Sequence, residues 1–214
     1  SSGYSNLNDY KKDLIYSLQR AEFLKKYVKD NFDEVMDNYY QYANPRYISL
    51  IKVSMSDVEN PTDQEKEKLE EVKSLLKTDK SFEDIASEYS DDDSKSAKGN
   101  IGIVDKTNTV ISSTYGEDVL DKAMALKNQE VSDAIKGTDG YYFVKCTSND
   151  KNKLKEDLKT VDVDSPLIAY DEYMTYLAFK TYNIKYEDKT IENQINKTID
   201  DALKLREESR GGNE

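Results

Sequence analysis

The spacing of apolar residues predicts a long helical region near the start of the chain. Over residues 8–43, apolar side chains recur at three- and four-residue intervals, which is the spacing of one buried helical face. They are Leu14, Leu18, Ala21, Leu24, Val28, Phe32, Val35, Met36 and Tyr39. Asn31 followed by Glu34 is typical of a new helix N-terminus. The pattern therefore predicts two helices that divide near Asp30.

The next segment predicts a strand followed by a helix. The stretch RYISLIKVSM, residues 46–55, is apolar and rich in β-branched side chains, as in a central strand. Thr62 and Glu65 have the spacing of a capping box, which marks a helix N-terminus. A buried stripe for this helix follows at Leu69, Val72 and Leu76.

Five further elements follow before residue 149. Ser81 is a candidate N-cap for a short amphipathic helix. Its apolar face is Phe82, Ile85, Ala86 and Tyr89. Residues 102–104 predict a short strand and residues 117–126 a helix. Residues 130–148 predict two strands around the turn Thr138-Asp139-Gly140.

This order of elements predicts an α+β domain with helical segments on either side. Neither flank carries enough apolar surface to fold alone, so we expect the two flanks to pack together as one helical domain. The α+β domain would then be an insertion between them. Helices are expected over 166–183 and 190–208. The predicted boundaries are 1–45 for the N-terminal helical segment, 46–148 for the inserted domain, 149–165 for a polar linker and 166–214 for the C-terminal helices.

Composition excludes several classes of function. The chain contains no histidine, which rules out a Ser-His-Asp or Cys-His nucleophile and any zinc site that uses histidine. Its only cysteine, Cys146, lies in an apolar alternating stretch and is interpreted as a buried structural thiol. A net charge of −12 argues against nucleic acid and against unanchored adhesion to an anionic membrane.

An acidic run, Asp91 to Asp93, raises three alternatives: a metal loop, a functional carboxylate or a solvated turn. An EF-hand loop that began at Asp91 would need a glutamate where Gly102 stands, so calcium is disfavoured. Gly99 and Gly102 do not form a phosphate cradle, because no helix N-terminus follows them. We therefore expect no metal and no cofactor. The functional carboxylate and the solvated turn stay open.

Two stretches carry a family resemblance. FEDIASEYSDDDSKSAKGNIG, residues 82–102, is similar to the motif F-x-x-L-A-x-x-Y-S-x-D-x-S followed by G-G-x-L-G. MALKNQEVSDAIKGTDGYYFVKC, residues 124–146, is similar to A-F-x-L-K-x-G-E-(I/V)-S continuing to G-(Y)-H-I-I-K. On these motifs the chain resembles the parvulin family of peptidyl-prolyl isomerases. It resembles more closely the PrsA-type extracytoplasmic foldases of Gram-positive bacteria. The resemblance implies a four-stranded antiparallel sheet with helices.

The resemblance also implies the catalytic positions. The family motif S-H-I-L-V falls on residues 49–53, so that Leu50 stands in place of the first histidine. Tyr142 stands in place of the second histidine, and Asp92 is retained. Leu50 cannot form a hydrogen bond, and Asp92 is expected to lie on a solvated turn without a partner to orient it. Asp91 and Asp93 are expected to face solvent. We therefore interpret the site as degraded.

The same resemblance implies an apolar pocket for the proline ring near Tyr115, Val119 and Met124. Each implied site residue also has a structural alternative. Leu50 and Tyr142 can be core-facing sheet residues, Tyr115 a surface loop aromatic, and Val119 plain helix packing. Lys98 departs from the family motif, where the first glycine is expected.

The function implied by the resemblance is a foldase or chaperone for secreted proteins, whose isomerase activity is expected to be weak or absent. Its partners would be unfolded or nascent secreted polypeptides with proline-containing segments, and no nucleic acid. It would be an extracytoplasmic lipoprotein of a Gram-positive bacterium, held at the membrane only by a lipid anchor outside this chain. The opening Ser-Ser-Gly would then follow either a tag or an omitted lipidated cysteine. A homodimer is left open.

Two alternatives remain. One is an active prolyl isomerase with a nonstandard site of Asp92, Tyr142 and Tyr115. The other is a non-catalytic module that docks one fixed partner.

Overall fold

The computed structural model describes Gly3 and residues 5–211, so that Ser1 and Ser2 of the opening tripeptide lie outside the described residues. The chain forms two compact units. The sheet unit is Asn38–Asp157, and the helical unit combines the described residues up to Asp37 with those from Leu158 onward. The sheet unit is thus inserted in sequence between the two parts of the helical unit.

The sheet unit has the expected α+β fold. Its strands are β1 Arg46–Ser54, β2 Asn100–Val104, β3 Ile135–Lys136 and β4 Gly140–Ser148. Within the described residues they form a four-stranded antiparallel sheet in the order β2-β1-β4-β3. In the central pair, Leu50 lies opposite Val144 and Lys52 lies opposite Tyr142. The sheet topology implied by the resemblance is confirmed.

Helices cover both faces of this sheet. Their bounds are α3 Asp63–Leu75, α4 Phe82–Tyr89, α5 Thr109–Tyr115 and α6 Glu117–Ala125. One core contains β1 and β4 side chains packed with α6, and the other contains β1 and β4 side chains packed with α3 and α4. Because successive strand residues point to opposite faces, β4 alternates between the two cores. Cys146 is buried in the first core, and burial raises the pKa of its thiol, which fits a structural role.

Local capping explains where α3 and α4 begin. The Thr62 hydroxyl accepts from the Glu65 N–H at 3.3 Å, and the Glu65 carboxylate accepts from the Thr62 N–H at 2.6 Å, which completes the predicted capping box. Backbone hydrogen bonds from Ser56 and Thr62 lower the pKa of Glu65 to about 2. The Ser81 hydroxyl caps α4 by accepting from the Asp84 N–H at 3.1 Å.

The helical unit is built from both ends of the chain. It contains α1 Leu7–Asp30, the start of α2 Phe32–Ala43, α8 Pro166–Ala169, α9 Met174–Thr181 and α10 Lys189–Gly211. Helix α1 packs against α8 and α9, and α10 packs against α9. The Phe23 ring meets the Phe179 ring at 5.3 Å in a T-shaped arrangement. Apolar and aromatic contacts therefore join segments that are far apart in sequence.

The structure corrects one helix boundary and one capping assignment. The division between α1 and α2 falls where it was predicted, but Asn31 is the C-cap of α1, and its side-chain amide donates to the Tyr27 carbonyl at 2.8 Å. The helix expected over 166–183 is broken at Asp171. That carboxylate is almost completely buried and accepts from the Tyr173 N–H, which turns the chain between α8 and α9.

The segment 149–165 also differs from the expected linker. It contains helix α7, Lys151–Asp157, and its Leu154 is fully buried. Leu158 and Val161 are buried as well. A few well-spaced apolar side chains are enough to order a segment that is otherwise strongly polar. No helix in the described part of the chain is long and apolar enough to cross a membrane.

Candidate functional site

The two positions expected to hold histidines lie in the central strands. Leu50 on β1 and Tyr142 on β4 are both 0% exposed. They share one core with Val119 of α6, which is 1% exposed. Their burial therefore supports the interpretation that these three residues pack the core, because none presents its side chain to solvent.

Tyr142 keeps a polar end inside this core, and its hydroxyl donates a hydrogen bond to Asp139. The ammonium of Lys52 lies 2.5 Å from the other Asp139 carboxylate oxygen and 6.0 Å from the centroid of the Tyr142 ring. Burial, and then the hydrogen bond to Asp139, raise the pKa of Tyr142. We call Lys52, Asp139 and Tyr142 the Lys-Asp-Tyr triad, in which Tyr142 is buried and Asp139 is exposed.

Within this triad, Asp139 is held in its charged form. Burial alone would raise its pKa, but hydrogen bonds from Lys52 and Tyr142 lower it. The Tyr142 hydroxyl is therefore bound to a carboxylate and cannot donate to a substrate without breaking that bond.

The retained aspartate is better ordered than the sequence suggested. Asp92 caps the 3-10 turn Asp93–Ala97 by accepting from the Ser94 N–H at 2.9 Å and from the Ser94 hydroxyl at 2.5 Å. Its own N–H donates to the Ser90 hydroxyl at 3.2 Å. The expectation that Asp92 has no orienting partner is wrong, because the turn itself supplies two donors.

The neighbouring Asp91 also departs from expectation. It accepts from the Ser54 N–H at 3.0 Å and pairs with the Lys68 ammonium at 2.5 Å. It therefore links the acidic turn to β1 and α3 instead of only facing solvent. Asp93 is exposed, as expected.

Tyr115 connects Asp92 to the Lys-Asp-Tyr triad. It lies at the end of α5, and its ring meets the Tyr142 ring at 5.5 Å in a T-shaped contact. Burial, followed by the negative charges of Asp92, Asp93 and Asp139, raises the pKa of Tyr115 to about 12. Its hydroxyl is thus protonated at neutral pH and lies among carboxylates. The alternative of a loose surface aromatic does not hold.

Of the three residues implied for a proline pocket, the structure leaves two accessible. Tyr115 and Met124 are partly buried and pack against the edge of the core that contains Val119. Val119 lies inside that core and is not available to a ring bound at the surface. The fold thus brings together Asp92, Tyr115 and Tyr142. Leu50 and Val119 pack in the core that also contains Tyr142.

Close backbone contact ties the acidic turn to β1. The Leu50 N–H donates to the Gly99 carbonyl at 2.8 Å, and a Cβ added at Gly99 would lie 2.6 Å from the Leu50 carbonyl oxygen. Gly99 has φ +81°, and the preceding Lys98 has φ +57°. Lys98 therefore takes the left-handed conformation that glycine adopts without cost.

Sequence reasoning missed Lys52, Asp139 and Ser94 as members of the site. Lys52 lies two residues after Leu50, so strand alternation places it on the same face. The sequence pattern places Asp139 in a turn and gives no sign of its contact with Lys52. Among the described residues no group of three or more histidine, cysteine, aspartate and glutamate side chains is placed to hold a metal ion.

Comparison with known proteins agrees with this architecture. Residues 50–148 match the rotamase family, described as the PPIC-type PPIase domain. We refer to these matched residues as the parvulin domain. The parvulin domain so defined contains Leu50, Asp92, Tyr115, Asp139 and Tyr142.

Most of the chain is similar to foldase proteins named PrsA. Foldase protein PrsA of Staphylococcus aureus is 28% identical over 92% of this chain, and the chain spans 62% of the length of that relative. PrsA from Bacillus subtilis has a solved structure that is 28% identical, with a TM-score of 0.45, covering 88% of this chain and 70% of that one. PrsA from Streptococcus pneumoniae is 26% identical, with a TM-score of 0.42, covering 90% and 70%.

Proposed function

We propose that this chain is a PrsA-like foldase that holds unfolded polypeptides, and that its parvulin domain is weak or silent as a prolyl isomerase. Similarity to proteins named as foldases along most of the chain supports the first part. The burial of Leu50 and Tyr142 at the two histidine positions supports the second part, and it is the observation that carries the proposal.

The chemistry explains why this burial matters. Rotation about a prolyl amide crosses a barrier of roughly 18–20 kcal/mol, because conjugation between nitrogen and carbonyl must be broken. A site accelerates this rotation only if it binds the twisted amide better than either planar isomer. Leu50 offers no hydrogen bond, and the Tyr142 hydroxyl is already donated to Asp139. Neither residue can support the twisted amide.

The helical unit is the proposed holding surface. It combines the two flanks, and α1 exposes several large apolar side chains between Leu7 and Leu18. We propose unfolded or nascent secreted polypeptides as its clients, and an extracytoplasmic location with a lipid anchor outside this chain. Fractionation of cells that carry the native protein tests the location, and recovery in the cytosol would contradict it.

A second candidate is an active isomerase with a nonstandard site. The observation in its favour is that Asp92, Tyr115 and Tyr142 are neighbours and that Asp92 is oriented by Ser94. An ordered carboxylate beside a protonated tyrosine could contact a substrate amide. We place it second because the Tyr142 side chain is fully buried.

Aggregation assays test the proposed holding activity. Several unrelated unfolded proteins are diluted from denaturant with and without the chain, and light scattering is followed. We expect the chain to suppress aggregation of all of them, and Asp92→Ala to suppress it equally well. Suppression of none, or of one protein only, would instead favour a module that docks a single partner.

A further inference from the structure

A groove lies beside the sheet of the sheet unit, between the end of α3 and the segment 131–134 that leads into β3. Its volume is about 440 Å³, within the roughly 300–1,000 Å³ typical of ligand pockets. Leu76 and Phe143 contribute apolar surface, and Lys73 and Lys77 contribute ammonium groups from the α3 side. We call this feature the edge groove.

The segment 131–134 is an edge of the sheet with unpaired main-chain groups. Val131 forms an isolated antiparallel bridge with Lys145. The hydrogen bonds on either side of this bridge, at 2.8 and 3.0 Å, are made by the sequence neighbours of Val131. Val131 therefore occupies a non-hydrogen-bonded position, and its own N–H and carbonyl point away from β4. In the part of the chain that the structure describes, these groups and the main-chain groups of Asp133 have no hydrogen-bond partner.

This unpaired edge defines the chemistry of its occupant. Main-chain donors and acceptors two residues apart match one more extended strand, which is how many sheets capture peptides. A helix cannot pair with them, because its own N–H and carbonyl groups are bonded within it. The edge therefore fits an extended segment, and an unfolded client supplies such segments.

The apolar part of the groove borders the core that contains α3 and α4. Phe143 is 1% exposed in this core, and Leu76 packs against it. Val131 is 37% exposed, so an apolar side chain that covers it would remove apolar surface from water. Phe143 and Tyr142 point to opposite faces of β4, so the edge groove is separate from the candidate prolyl site.

The ionised groups that line the groove determine which segments fit. Lys73 is paired with Glu70 at 2.7 Å, whereas Lys77 and Asp133 have no ion-pair partner among the described residues. A charged residue on a sheet edge discourages indiscriminate pairing, so Asp133 favours a segment that brings a basic residue. Lys77 favours an acidic residue in the same way. Because both groups are exposed, each such pair would contribute selectivity more than affinity.

We propose that the edge groove binds an extended client segment as one more strand of the sheet. The main chain of the segment pairs with Val131 and Asp133, and one branched aliphatic side chain covers Val131. The residues two positions to either side of that side chain are one acidic and one basic residue, which face Lys77 and Asp133. The proposal rests on the proposed foldase function and adds a second place, in the sheet unit, where a client is held.

A short fluorescent peptide without proline tests this site apart from the candidate prolyl site. Threonines alternate with glutamate, isoleucine and lysine, so that the last three share one face, and binding to the full chain is followed by anisotropy. Both orders of the two charged residues are measured, because the direction of the added strand is open. Replacement of the isoleucine by alanine should weaken binding about tenfold. Peptides with two glutamates or two lysines should bind about threefold more weakly than the better mixed order.

N-methylation of this peptide, one residue at a time, tests main-chain pairing. Each methyl group removes one N–H donor, and in a strand successive N–H groups point to opposite sides. We expect binding to weaken about fivefold or more at every second residue and to change little at the residues between them. Those intervening residues are the matched control, since they carry the same modification. Uniform losses, or no losses, would overturn the proposal.

Variants of the chain locate the binding surface. Lys77→Glu should weaken the mixed peptide about threefold and strengthen the two-lysine peptide, because a carboxylate then replaces the ammonium. Lys66→Glu makes the same charge change at an exposed position of α3 outside the groove and should leave both affinities unchanged. Val131→Pro removes the outward N–H and should weaken all peptides about fivefold or more, while proline is tolerated where a strand N–H faces away from the sheet. Circular dichroism checks that each variant is folded.

The outcomes separate this proposal from the proposed function. Equal effects of Lys77→Glu and Lys66→Glu would overturn the proposal. A dimer of the chain that dissociates in Val131→Pro would overturn it too, because a second copy would then pair with the edge. If the peptide does not bind but the chain suppresses aggregation, the proposal fails and the foldase function stands. If the peptide binds with the alternating losses but the chain suppresses no aggregation, the edge groove stands and the foldase function fails.

Discussion

At the scale of single residues, Lys98 has a backbone conformation that its Cβ disfavours. Its φ of +57° is in the left-handed region, which costs a residue other than glycine roughly 1–2 kcal/mol. The greater freedom of glycine in the unfolded chain offsets part of any gain from removing this strain. We predict that Lys98→Gly raises the free energy of unfolding by about 0.5–1 kcal/mol, measured by urea denaturation.

Lys98→Ala is the matched control for this prediction. It removes the same charge and the same long side chain but keeps the Cβ that strains the left-handed conformation. It should therefore give no stabilisation. If Lys98→Ala stabilises the chain as much as Lys98→Gly does, the gain comes from charge and not from the backbone.

The Lys-Asp-Tyr triad predicts a dependence of stability on pH. The pKa of Asp139 is lowered in the folded state, so its contribution to stability is present above the unfolded pKa of about 3.8. That contribution is lost as the pH falls through the folded value. We predict that the chain is more stable than Asp139→Asn at pH 7, and that the difference shrinks steadily below about pH 4.

Thermal unfolding of both proteins between pH 2 and pH 7 measures this difference. Asp93→Asn is the control, because Asp93 is exposed and lies outside the triad. A difference between the chain and Asp139→Asn that stays constant over the whole range would show that the Asp139 charge contributes nothing.

Strand alternation was sufficient to predict the burial of Leu50 and Tyr142, but not the polar contacts around them. The side-chain period of two places Lys52 on the face of Leu50 and leaves open which carboxylate it meets. That partner, Asp139, comes from a turn 87 residues later in the chain. Such a pairing depends on strand register, which a single sequence does not specify.

At the scale of elements, the helices with a regular apolar face were found where they were expected, whereas α5 and α7 were not predicted. Helix α5 has the sequence TVISSTY, whose β-branched and serine residues have low helix propensity. Its Asn108 cap accepts from the Ile111 N–H at 3.2 Å, and Ile111 and Tyr115 pack against the core. Tertiary packing therefore forms a helix that propensity alone does not predict.

The break between α8 and α9 has a different cause. Apolar periodicity continues through residues 166–183, so the pattern predicts one helix. Asp171 interrupts it because its buried carboxylate binds Arg206 Nε at 2.9 Å and Arg210 Nη2 at 2.8 Å, both from α10. A contact from outside the segment decides its shape.

Packing of α1 on the C-terminal helices gives a prediction for truncation. Phe23 and Tyr27 of α1 contact the Tyr182 ring at 5.6 Å and 6.3 Å, and the Tyr182 hydroxyl donates to Asp30 at 2.8 Å. Deletion of residues 166–214 should remove these contacts and leave α1 without protection from hydrogen exchange. Full protection of residues 7–30 in the truncated chain would show that α1 is stable without the C-terminal helices.

At the scale of the whole molecule, the two units divide the proposed activity. The helical unit contains the exposed apolar side chains of α1, whereas the parvulin domain lies within the sheet unit. Apolar periodicity and family resemblance were sufficient to predict the sheet and the inserted order of segments. They could not predict how α1 packs on α8 and α9, because no local pattern describes contacts between helices that are far apart in sequence.

The central claim concerns the parvulin domain. Loss of two polar contacts and of some ring packing should remove about 3–5 kcal/mol of preference for the twisted amide, which is roughly a hundred- to several-thousand-fold in rate. Asp92 is oriented by Ser94, but Leu50 on β1 cannot form the second hydrogen bond to the substrate amide that a histidine there could form. We expect the site still to bind a proline-containing segment without lowering its rotational barrier.

The most direct test is the cis-to-trans relaxation rate of Xaa-Pro peptides with acidic, basic or apolar residues before the proline. A parvulin that keeps both histidines serves as the reference. We predict that the full chain leaves each rate close to that of the uncatalysed peptide, and that Asp92→Ala and Tyr142→Phe change nothing. Robust acceleration of any of these peptides, abolished by either substitution, would contradict the account and establish an active isomerase with a rebuilt site.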